Sequence, residues 1–348
     1  MPAQPVLLAA LPHQTGPLVS LVSRAMPLGV DAALENAALL AEVAVSPGRG
    51  ATLDLWEALA TVAAHDLSAA RAIEPHLDAL AILEQSASGA VADASSRVAR
   101  SWGVFAAEGG SDPLVAHRDG DGWLLTGTKP WCSLAHRLTD ALVSARTTDG
   151  ERRLFAVSLT GPGIRTDTAA WRARGLTDIA SGPVRFSSVA AAAVGDAGWY
   201  LSRPGFAWGG IGVAACWFGG AVGIARTVYA ASLVDEPSPF LLMHLGAIDE
   251  LVQSSRRALG EAAVLVDAGE ATGAAGGLLA KRVRATVARS CEEIVVRAGH
   301  ALGPAPLALD EAHAKRVADL QLYVRQHHAE RDESSLGRAL ATAGDVPW

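Results

Sequence analysis

The stretch Gly120-Asp-Gly-Trp-Leu-Leu-Thr-Gly-Thr-Lys-Pro-Trp-Cys-Ser133 decides the fold predicted for this chain. It begins inside an Asp119-Gly-Asp-Gly122 turn, which separates two short segments at 115–118 and 123–126. Glycine supplies the positive φ that tight hairpin turns need. The stretch therefore predicts a β-hairpin whose second strand runs on toward Trp131 and Ser133.

More short strands are predicted beyond this hairpin. Residues 141–146 and 153–159 form a second pair across the turn Thr147-Thr-Asp-Gly150. Residues 183–189 alternate apolar with polar side chains, as a half-buried strand does. Closely spaced short strands are typical of a barrel or a sandwich. Residues 103–200 are therefore predicted to form a small β-barrel or sandwich domain.

Helical patterns flank the β segment on both sides. Asp54, with Glu57 three residues later, predicts a capping box at the start of a helix. Four helices are predicted after residue 203, namely a glycine-rich one around 206–225 and then 241–266, 280–301 and 311–340. The predicted fold class is α+β, with an N-terminal helical domain (1–102), the middle β domain (103–200) and an antiparallel four-helix bundle (201–348).

Composition narrows the function classes. Of 348 residues, 50% are hydrophobic and 19% charged, which excludes a disordered chain. The formal net charge of −7 argues against nucleic acid as a partner. Cys132, Cys216 and Cys291 are too few and too far apart for a disulfide framework or a four-thiolate zinc site. No metal site is expected, and a reducing, cytoplasmic setting is predicted.

Segment 206–225 is long enough to cross a bilayer because it carries no charged residue over 20 positions. It also contains six glycines and two tryptophans. A helix that is apolar on all sides can form the centre of a soluble bundle. We expect such a buried helix and no membrane partner, and the start of the chain lacks the basic region of a secretory signal.

Motifs along the chain resemble those of the acyl-CoA dehydrogenase family of flavoproteins, and they occur in the family's order. Residues 120–133 resemble its signature of an Asp-Gly-Asp turn, a strand and a Lys-x-Trp run. Trp102-Gly-Val-Phe-Ala-Ala-Glu-Gly-Gly-Ser-Asp112 resembles its flavin-contacting strand and loop. Residues 171–189 resemble a later strand pair, and 301–303 with 325–332 resemble the region that closes over the flavin ring. The resemblance covers about residues 53–340 and implies the three-domain order given above.

The resemblance also implies FAD as the cofactor. Trp131 would then pack edge-on to the flavin ring, and Ser133 would place a hydroxyl near N5, the atom that accepts hydride. A buried Trp and a Ser bonded to its own backbone remain the structural alternative. The full set of cofactor residues that the resemblance implies is Phe105, Ala107, Gly110, Trp131, Cys132, Ser133, His300 and Gly303, with Ser111 and His328 assigned to the substrate.

The sequence departs from the family at the catalytic base. The family uses a carboxylate, but one of its usual positions matches His327 and the other falls in 205–212, which contains no acid. The reference pKa of histidine is near neutrality, so His327 is the candidate catalytic residue. Glu330 would share a helix face with His327 if this segment were helical.

Two further departures concern the flavin itself. Phe105 and Ala106 replace a Thr and a Glu, and Phe cannot donate the hydrogen bond that the Thr gives to the flavin. Residues 229–240 lack the Arg-x-x-Phe-Gly run that reaches the FAD diphosphate of a neighbouring subunit in the family. Binding at the adenine end is therefore expected to be altered.

Three functions remain open at this point. The first is an FAD-dependent oxidoreductase acting on an acyl-CoA or similar thioester, with a possible electron-transfer partner. The second is a flavin-dependent monooxygenase on the same fold, with His327 assisting. The third is a non-catalytic binding or partner protein in which Phe105 fills the flavin pocket. The resemblance also implies a homo-dimer or homo-tetramer.

Overall fold

The computed structural model describes residues 4–9, 13–26, 28–86, 100–343 and 348. Part of the predicted N-terminal helical domain, residues 87–99, lies outside this range, as do residues 1–3 and 10–12 of the segment inspected for a signal. The N-terminal helices are α1 (Pro17–Arg24), α2 (Gly29–Glu35), α3 (Ala37–Val43), α4 (Thr52–His65) and α5 (Leu67–Ser86).

The capping box predicted at Asp54 is wrong. Helix α4 begins at Thr52, so Asp54 already lies inside its first turn. The Asp54 carboxylate instead accepts a hydrogen bond from the backbone N–H of Leu18 in α1, at 2.9 Å. The buried Glu57 accepts one from the N–H of Leu8, at 2.6 Å. These two hydrogen bonds therefore connect the N-terminal segment to α4.

The middle segment forms a closed β-barrel. Its strands are β1 (Trp102–Phe105), β2 (Val115–Asp119), β3 (Gly122–Lys129), β4 (Asp140–Thr147), β5 (Arg152–Ser158), β6 (Ile164–Thr166) and β7 (Val184–Val194). The two predicted hairpins, β2–β3 and β4–β5, are confirmed. Strand β3 pairs with β7, β7 with β5, and β4 with β2, which closes the barrel.

One edge of β4 is shared by two strands. Its first residues pair in parallel with β1, from Asp140 to Val143, and its last two pair with the start of β2. The loop 106–114 joins β1 to β2. Between the two pairings, Oγ of Ser144 in β4 donates to the carbonyl oxygen of Ala106 at the start of this loop, at 3.3 Å.

Helices form the rest of the chain. They are α6 (Trp199–Ser202), α7 (Pro204–Ala231), α8 (Pro239–Asp267), α9 (Gly273–Leu302), α10 (Ala305–Leu309), α11 (Glu311–Tyr323) and α12 (Glu330–Ala343). The single helix predicted over 311–340 is wrong. A 3-10 turn, Val324–Gln326, ends α11, and Ala329 has a φ of +43° just before α12 begins. This left-handed residue interrupts the helix.

Helix α7 is the central helix, and within the described residues it alone is long and apolar enough to cross a membrane. Its most apolar window is 72% buried inside the protein. The glycines explain this burial, because a Cβ on Gly219 would lie 2.1 Å from the carbonyl oxygen of Ala60 in α4. The glycines of α7 thus allow its backbone to lie close to the backbone of α4.

We predict that Gly219→Ala destabilises the protein by about 1–3 kcal/mol or more, because the added methyl group meets the α4 backbone. The matched control is Gly299→Ala in α9, where a Cβ would meet nothing within 4 Å. That control should stabilise the protein by up to ~1 kcal/mol through helix propensity. Chemical denaturation of the three proteins measures both effects. Equal stability of the two variants would contradict the close α4–α7 contact.

Candidate functional site

The turn that follows β3 holds a tryptophan at the surface. Trp131 is 64% exposed and has a φ of +59°. Backbone hydrogen bonds fix the turn, since the N–H of Cys132 donates to Gly182 and that of Leu134 to Ala180. The indole meets the edge of Trp171, with ring centroids 6.5 Å apart. A bulky residue in the left-handed region costs roughly 1–2 kcal/mol, and such strain clusters at binding sites.

Cys132, the next residue of the turn, is directed into the protein. It is 1% exposed, and its Sγ lies 3.3 Å from the carbonyl oxygen of Lys129. Burial raises the pKa of this thiol to about 12, so it stays protonated at neutral pH. Cys132 was predicted to contact the cofactor, but its side chain is not accessible to a ligand in this structure.

Ser133 joins the barrel to the helices. Its Oγ accepts a hydrogen bond from Nη2 of Arg71 in α5, at 3.1 Å. The same hydroxyl lies 2.8 Å from Oγ of Ser181, which precedes β7. Sequence reasoning found Ser133 through its motif but missed Arg71, which is 62 positions away.

Arg71 has one terminal nitrogen without a hydrogen bond. Its buried Nη1 lies 3.7 Å from Oε2 of Glu74, beyond hydrogen-bond distance. The guanidinium also stands over the ring of Tyr323, at 5.7 Å from the ring centroid. Unpaired buried donors are rare in folded proteins, so Nη1 marks a position where a ligand atom or a water belongs.

Arg71 also lines a small cavity. Its volume is about 10 Å³, and its lining includes Arg71, Ser133 and Phe105. That is room for about one water molecule. Phe105 is 3% exposed and packs its ring against Gly103 and Leu138. It forms part of the cavity wall and leaves Trp131 exposed.

Glu74 is a buried carboxyl that no sequence motif singles out. It is 8% exposed, and its Oε2 lies 3.7 Å from Nη1 of Arg71. Burial raises its pKa to about 7, helped by the charge of Asp78, although Arg71 and Arg284 act in the opposite direction. A carboxyl that titrates near neutrality therefore lies next to the Arg71–Ser133 pair.

A second contact connects the barrel to the bundle. The Asp319 carboxylate in α11 accepts a hydrogen bond from the N–H of Leu176 at 2.5 Å and another from Lys315 at 2.5 Å. A Cβ on Gly175 would lie 2.0 Å from the carbonyl oxygen of Ala318, so the loop after Trp171 lies directly on α11. This contact brings the end of α11 toward the turn that carries Trp131.

His327 lies in the break between α11 and α12. It is 8% exposed, and its Nε2 is buried without a hydrogen bond. The predicted helix face shared with Glu330 is wrong, because Glu330 begins a new helix after the left-handed residue. Burial is the main cause that lowers the pKa of His327, with Arg284 adding to it and Asp332 opposing it. His327 is therefore neutral at pH 7 and able to accept a proton.

Arg284 in α9 holds the turn that carries His327. Its Nη1 donates to the carbonyl oxygen of Gly210 at 2.6 Å, and its Nη2 donates to that of Gln326 at 3.0 Å. The guanidinium also stacks over the ring of Trp217, 4.6 Å from the centroid. Trp217 in turn meets the edge of Tyr323, at 6.3 Å. These contacts fix the end of α11 against α7.

The loop after β1 carries the predicted contacts Ala107, Gly110 and Ser111, all of which are exposed. Gly110 has a φ of +91°, and a Cβ there would meet nothing within 4 Å. Glu108 forms ion pairs with Arg152 and, at 3.6 Å, with Arg146. The loop is therefore open to a ligand on its outer side and is held to the barrel by charge.

The remaining predicted residues lie apart from this group. His328 has an exposed side chain, and its N–H donates to Asp332 at 3.1 Å. His300 and Gly303 lie at the C-terminal end of α9. His300 is about 24 Å along the helix axis from Arg284.

No group of three or more His, Cys, Asp or Glu side chains that could hold a metal occurs among the residues that the structure describes. His76, two residues before Asp78, is fully buried. Its Nδ1 accepts a hydrogen bond from the N–H of Trp102 at 3.3 Å.

Comparisons identify the fold. No family model and no curated protein matches the chain. Among solved structures, the dibenzothiophene monooxygenase TdsC from Paenibacillus sp. A11-2 is 18% identical, with 84% of each chain covered and a TM-score of 0.73. KijD3 is 21% identical, covering 95% of this chain and 88% of its own, with a TM-score of 0.75. Butyryl-CoA dehydrogenase from Megasphaera elsdenii is 15% identical, covering 83% and 82%, with a TM-score of 0.73.

These likenesses confirm the fold class predicted from the sequence. The chain has the acyl-CoA dehydrogenase fold, with N-terminal helices, a middle β-barrel and C-terminal helices. TdsC and KijD3 share the fold, and both have been solved with FMN bound. The structure of KijD3 also holds dTDP-3-amino-2,3,6-trideoxy-4-keto-3-methyl-D-glucose.

We predict that Glu74→Gln stabilises the protein more at pH 8 than at pH 5. The pKa of Glu74 is raised from 4.5 to about 7 in the folded state, so the unfolded chain ionises at a lower pH than the folded protein, and the fold loses stability progressively between these two values. At pH 5 only the first part of this loss has occurred, whereas at pH 8 it is complete. The gain at pH 8 should reach at most ~3 kcal/mol in the free energy of unfolding.

Urea denaturation at both pH values measures this difference. Glu84→Gln is the matched control, because Glu84 lies in the same helix with its side chain 48% exposed. A Glu74→Gln effect that is the same at pH 5 and pH 8 would contradict the raised pKa.

Proposed function

We propose that this protein is a flavin-dependent oxidoreductase that acts on a small molecule held between the β-barrel and the helical bundle. One observation carries the proposal. Trp131 is held exposed in a strained conformation, two residues from a serine whose hydroxyl is bonded to a buried arginine with a free donor. Solved structures of the same fold hold FMN, which supports this assignment.

The residues present fit the ring of a flavin. Trp131 offers an exposed aromatic surface, and the loop at Gly110 has free space on its outer side. The cavity lined by Arg71 and Ser133 has a volume of only about 10 Å³, so Trp131 and the loop at Gly110, and not this cavity, would hold the ring.

FAD is the cofactor that the resemblance implies, but the residues for its adenine end are absent or remote. Residues 229–240 lack the Arg and the Phe-Gly pair, and His300 and Gly303 lie at the far end of α9. FMN needs neither. We therefore propose FMN as the alternative to FAD, with FAD requiring His300 and Gly303 from a second copy of the chain.

When bound, the flavin would supply two-electron redox chemistry. The protein would contribute position and proton handling. Trp131 and the loop at Gly110 would hold the ring, while Ser111 on the same loop would contact the substrate. His327, neutral and with an unpaired Nε2, would accept the substrate proton. Arg284 would keep the His327 turn in place.

Two reaction types are compatible with these residues. An acyl thioester would lose its α proton to His327 in a dehydrogenation, with electrons passed on to an electron-transfer partner. A monooxygenase reaction would use oxygen and needs no carboxylate base. The absence of an acid from 205–212 and from position 327 favours the monooxygenase as the second candidate, and TdsC is named a monooxygenase.

The non-catalytic alternative assumes that Phe105 fills the flavin pocket. Phe105 is 3% exposed and lines a cavity of about 10 Å³, and flavin retention decides between this alternative and the proposed function. We also propose that residues 1–102, 103–200 and 201–348 act as three domains of a cytoplasmic homo-dimer or homo-tetramer. The mass of the purified protein in solution tests the oligomeric state.

The first test is flavin retention. We expect the purified protein, mixed with FMN or FAD and then desalted, to keep visible flavin absorption bands. Trp131→Ala should weaken flavin binding about tenfold or more, because it removes the aromatic surface. Trp199→Ala is the control, since Trp199 lies in α6 at the far end of the barrel strands. No retained flavin with either cofactor would overturn the proposed function.

The second test concerns His327 as the base. We expect kcat/KM, with butyryl-CoA or another compound that changes the flavin spectrum, to rise with pH and level off. The midpoint should lie below 6.5, because burial and Arg284 lower the pKa of His327. His327→Ala should abolish this rise of kcat/KM at acid pH and lower kcat/KM about 100-fold or more.

His117→Ala is the control for that experiment, since His117 is an exposed residue of β2. A His327→Ala enzyme that keeps the wild-type kcat/KM and the same rise of kcat/KM at acid pH would show that another group takes the proton.

A further inference from the structure

We propose that Thr128 and Lys129, the last two residues of β3, are positioning residues that clamp the two ends of the loop 106–114. The inference rests on the proposed function and deepens it, because this loop carries Ser111, which would contact the substrate. Neither clamp residue touches the ligand. Each acts through a hydrogen-bond partner at one end of the loop.

Lys129 holds the first end of the loop through a serine. It is 3% exposed, and its Nζ donates to the carbonyl oxygen of Ser144 at 2.6 Å and to Oγ of the same residue at 2.9 Å. That Oγ in turn donates to the carbonyl oxygen of Ala106, at 3.3 Å. Because a hydroxyl has one proton, the bond accepted from Lys129 leaves this proton directed at Ala106. The ammonium group therefore fixes the orientation of the hydroxyl that holds the loop.

The charge of Lys129 strengthens this chain of hydrogen bonds. Burial lowers the pKa of Lys129 to about 8, with Arg152 adding to the effect and Cys132 and Glu108 opposing it. The ammonium form therefore still predominates at pH 7. A hydrogen bond from a charged donor is stronger than one between neutral groups. The start of the loop is thus attached to the barrel through a buried cation.

Ser144 lies at a gap in the strand pairing along β4. Strand β1 pairs with β4 as far as Val143, and β2 pairs with it from Arg146 onward. Lys129 reaches this gap from β3, which pairs with β2 and β7. Burying a charge costs free energy even when the charge is hydrogen-bonded. The lysine is therefore better explained by the loop that it holds than by a contribution to stability.

Thr128 holds the other end of the loop. Its Oγ1 donates to Oδ2 of Asp112 at 2.9 Å, and its N–H donates to the carbonyl oxygen of Asp112 at 2.9 Å. Successive side chains of a strand point to opposite faces, so the two clamp residues act from opposite faces of β3. Between the clamped ends lie Gly109 and Gly110, whose φ values are +138° and +91°. Glycine restricts the backbone least, so the position of this segment depends on its ends.

The clamp also sets the loop relative to the exposed tryptophan. Trp131 follows Lys129 by only two residues, so one short segment carries the tryptophan and holds the loop. The proposed flavin site consists of these two parts. A loop that is released from the clamp would lose its fixed distance to Trp131, and flavin binding should weaken.

A Glu-specific protease tests the clamp without any ligand. The bond Glu108–Gly109 lies in the exposed part of the loop, and the exposed Glu270 between α8 and α9 gives an internal reference. Cleavage follows the population of the opened segment. We expect Lys129→Met to raise cleavage after Glu108, relative to Glu270, about tenfold or more, because a charge-assisted hydrogen bond is lost. The matched control Lys281→Met, in α9, should leave this ratio unchanged.

Two milder variants test each end of the loop separately. Ser144→Ala and Thr128→Val should each raise the cleavage ratio about threefold or more, since each removes one hydroxyl bond to the loop. If Lys129 acts through Ser144, the variant Lys129→Met/Ser144→Ala should exceed Lys129→Met by no more than about threefold. Unchanged ratios in all three single variants would overturn the assignment. So would equal increases after Glu108 and Glu270, because these indicate a general loss of stability.

Flavin binding then connects the clamp to the proposed function. We expect the Kd for FMN to rise about tenfold or more in Lys129→Met and to stay within about threefold of the wild type in Lys281→Met. If the wild type binds flavin and the clamp variants keep its Kd, the inference fails alone. If the wild type binds neither FMN nor FAD, the proposed function fails, and the cleavage ratio decides whether Thr128 and Lys129 position the loop.

Discussion

The hydrogen bond from Arg71 to Ser133 joins the helical and β parts of the molecule at the proposed ligand site. It is made by a buried cation, so its geometry is constrained on both sides, by Glu74 at 3.7 Å and by the ring of Tyr323. The second connection, from Asp319 to Leu176, fixes α11 to the loop before β7.

The part of the fold that depends on local sequence was predictable. The hairpins follow from glycine-containing turns, which fix where a strand reverses. The break in the helix predicted over 311–340 was not predictable. It occurs at Ala329, whose φ is left-handed although alanine has no preference for that conformation. Asp54 and Glu57 have the spacing of a capping box, yet both carboxylates accept hydrogen bonds from backbone N–H groups that are distant in sequence.

The candidate site shows the same division. Trp131 and Ser133 were found because a contiguous motif carries them. Arg71 and Glu74 were missed because nothing near them in sequence indicates that α5 will face the turn after β3. Their roles arise from burial, which raises the pKa of Glu74 to about 7 and leaves one Arg71 nitrogen without an acceptor. His300 and Gly303 belong to the resemblance and lie at the C-terminal end of α9, and their role stays a prediction.

A crystal structure of the protein grown with FMN tests the central claim most directly. The account predicts the flavin ring beside Trp131, at a van der Waals distance of about 4 Å. A ring bound elsewhere on the protein would contradict it.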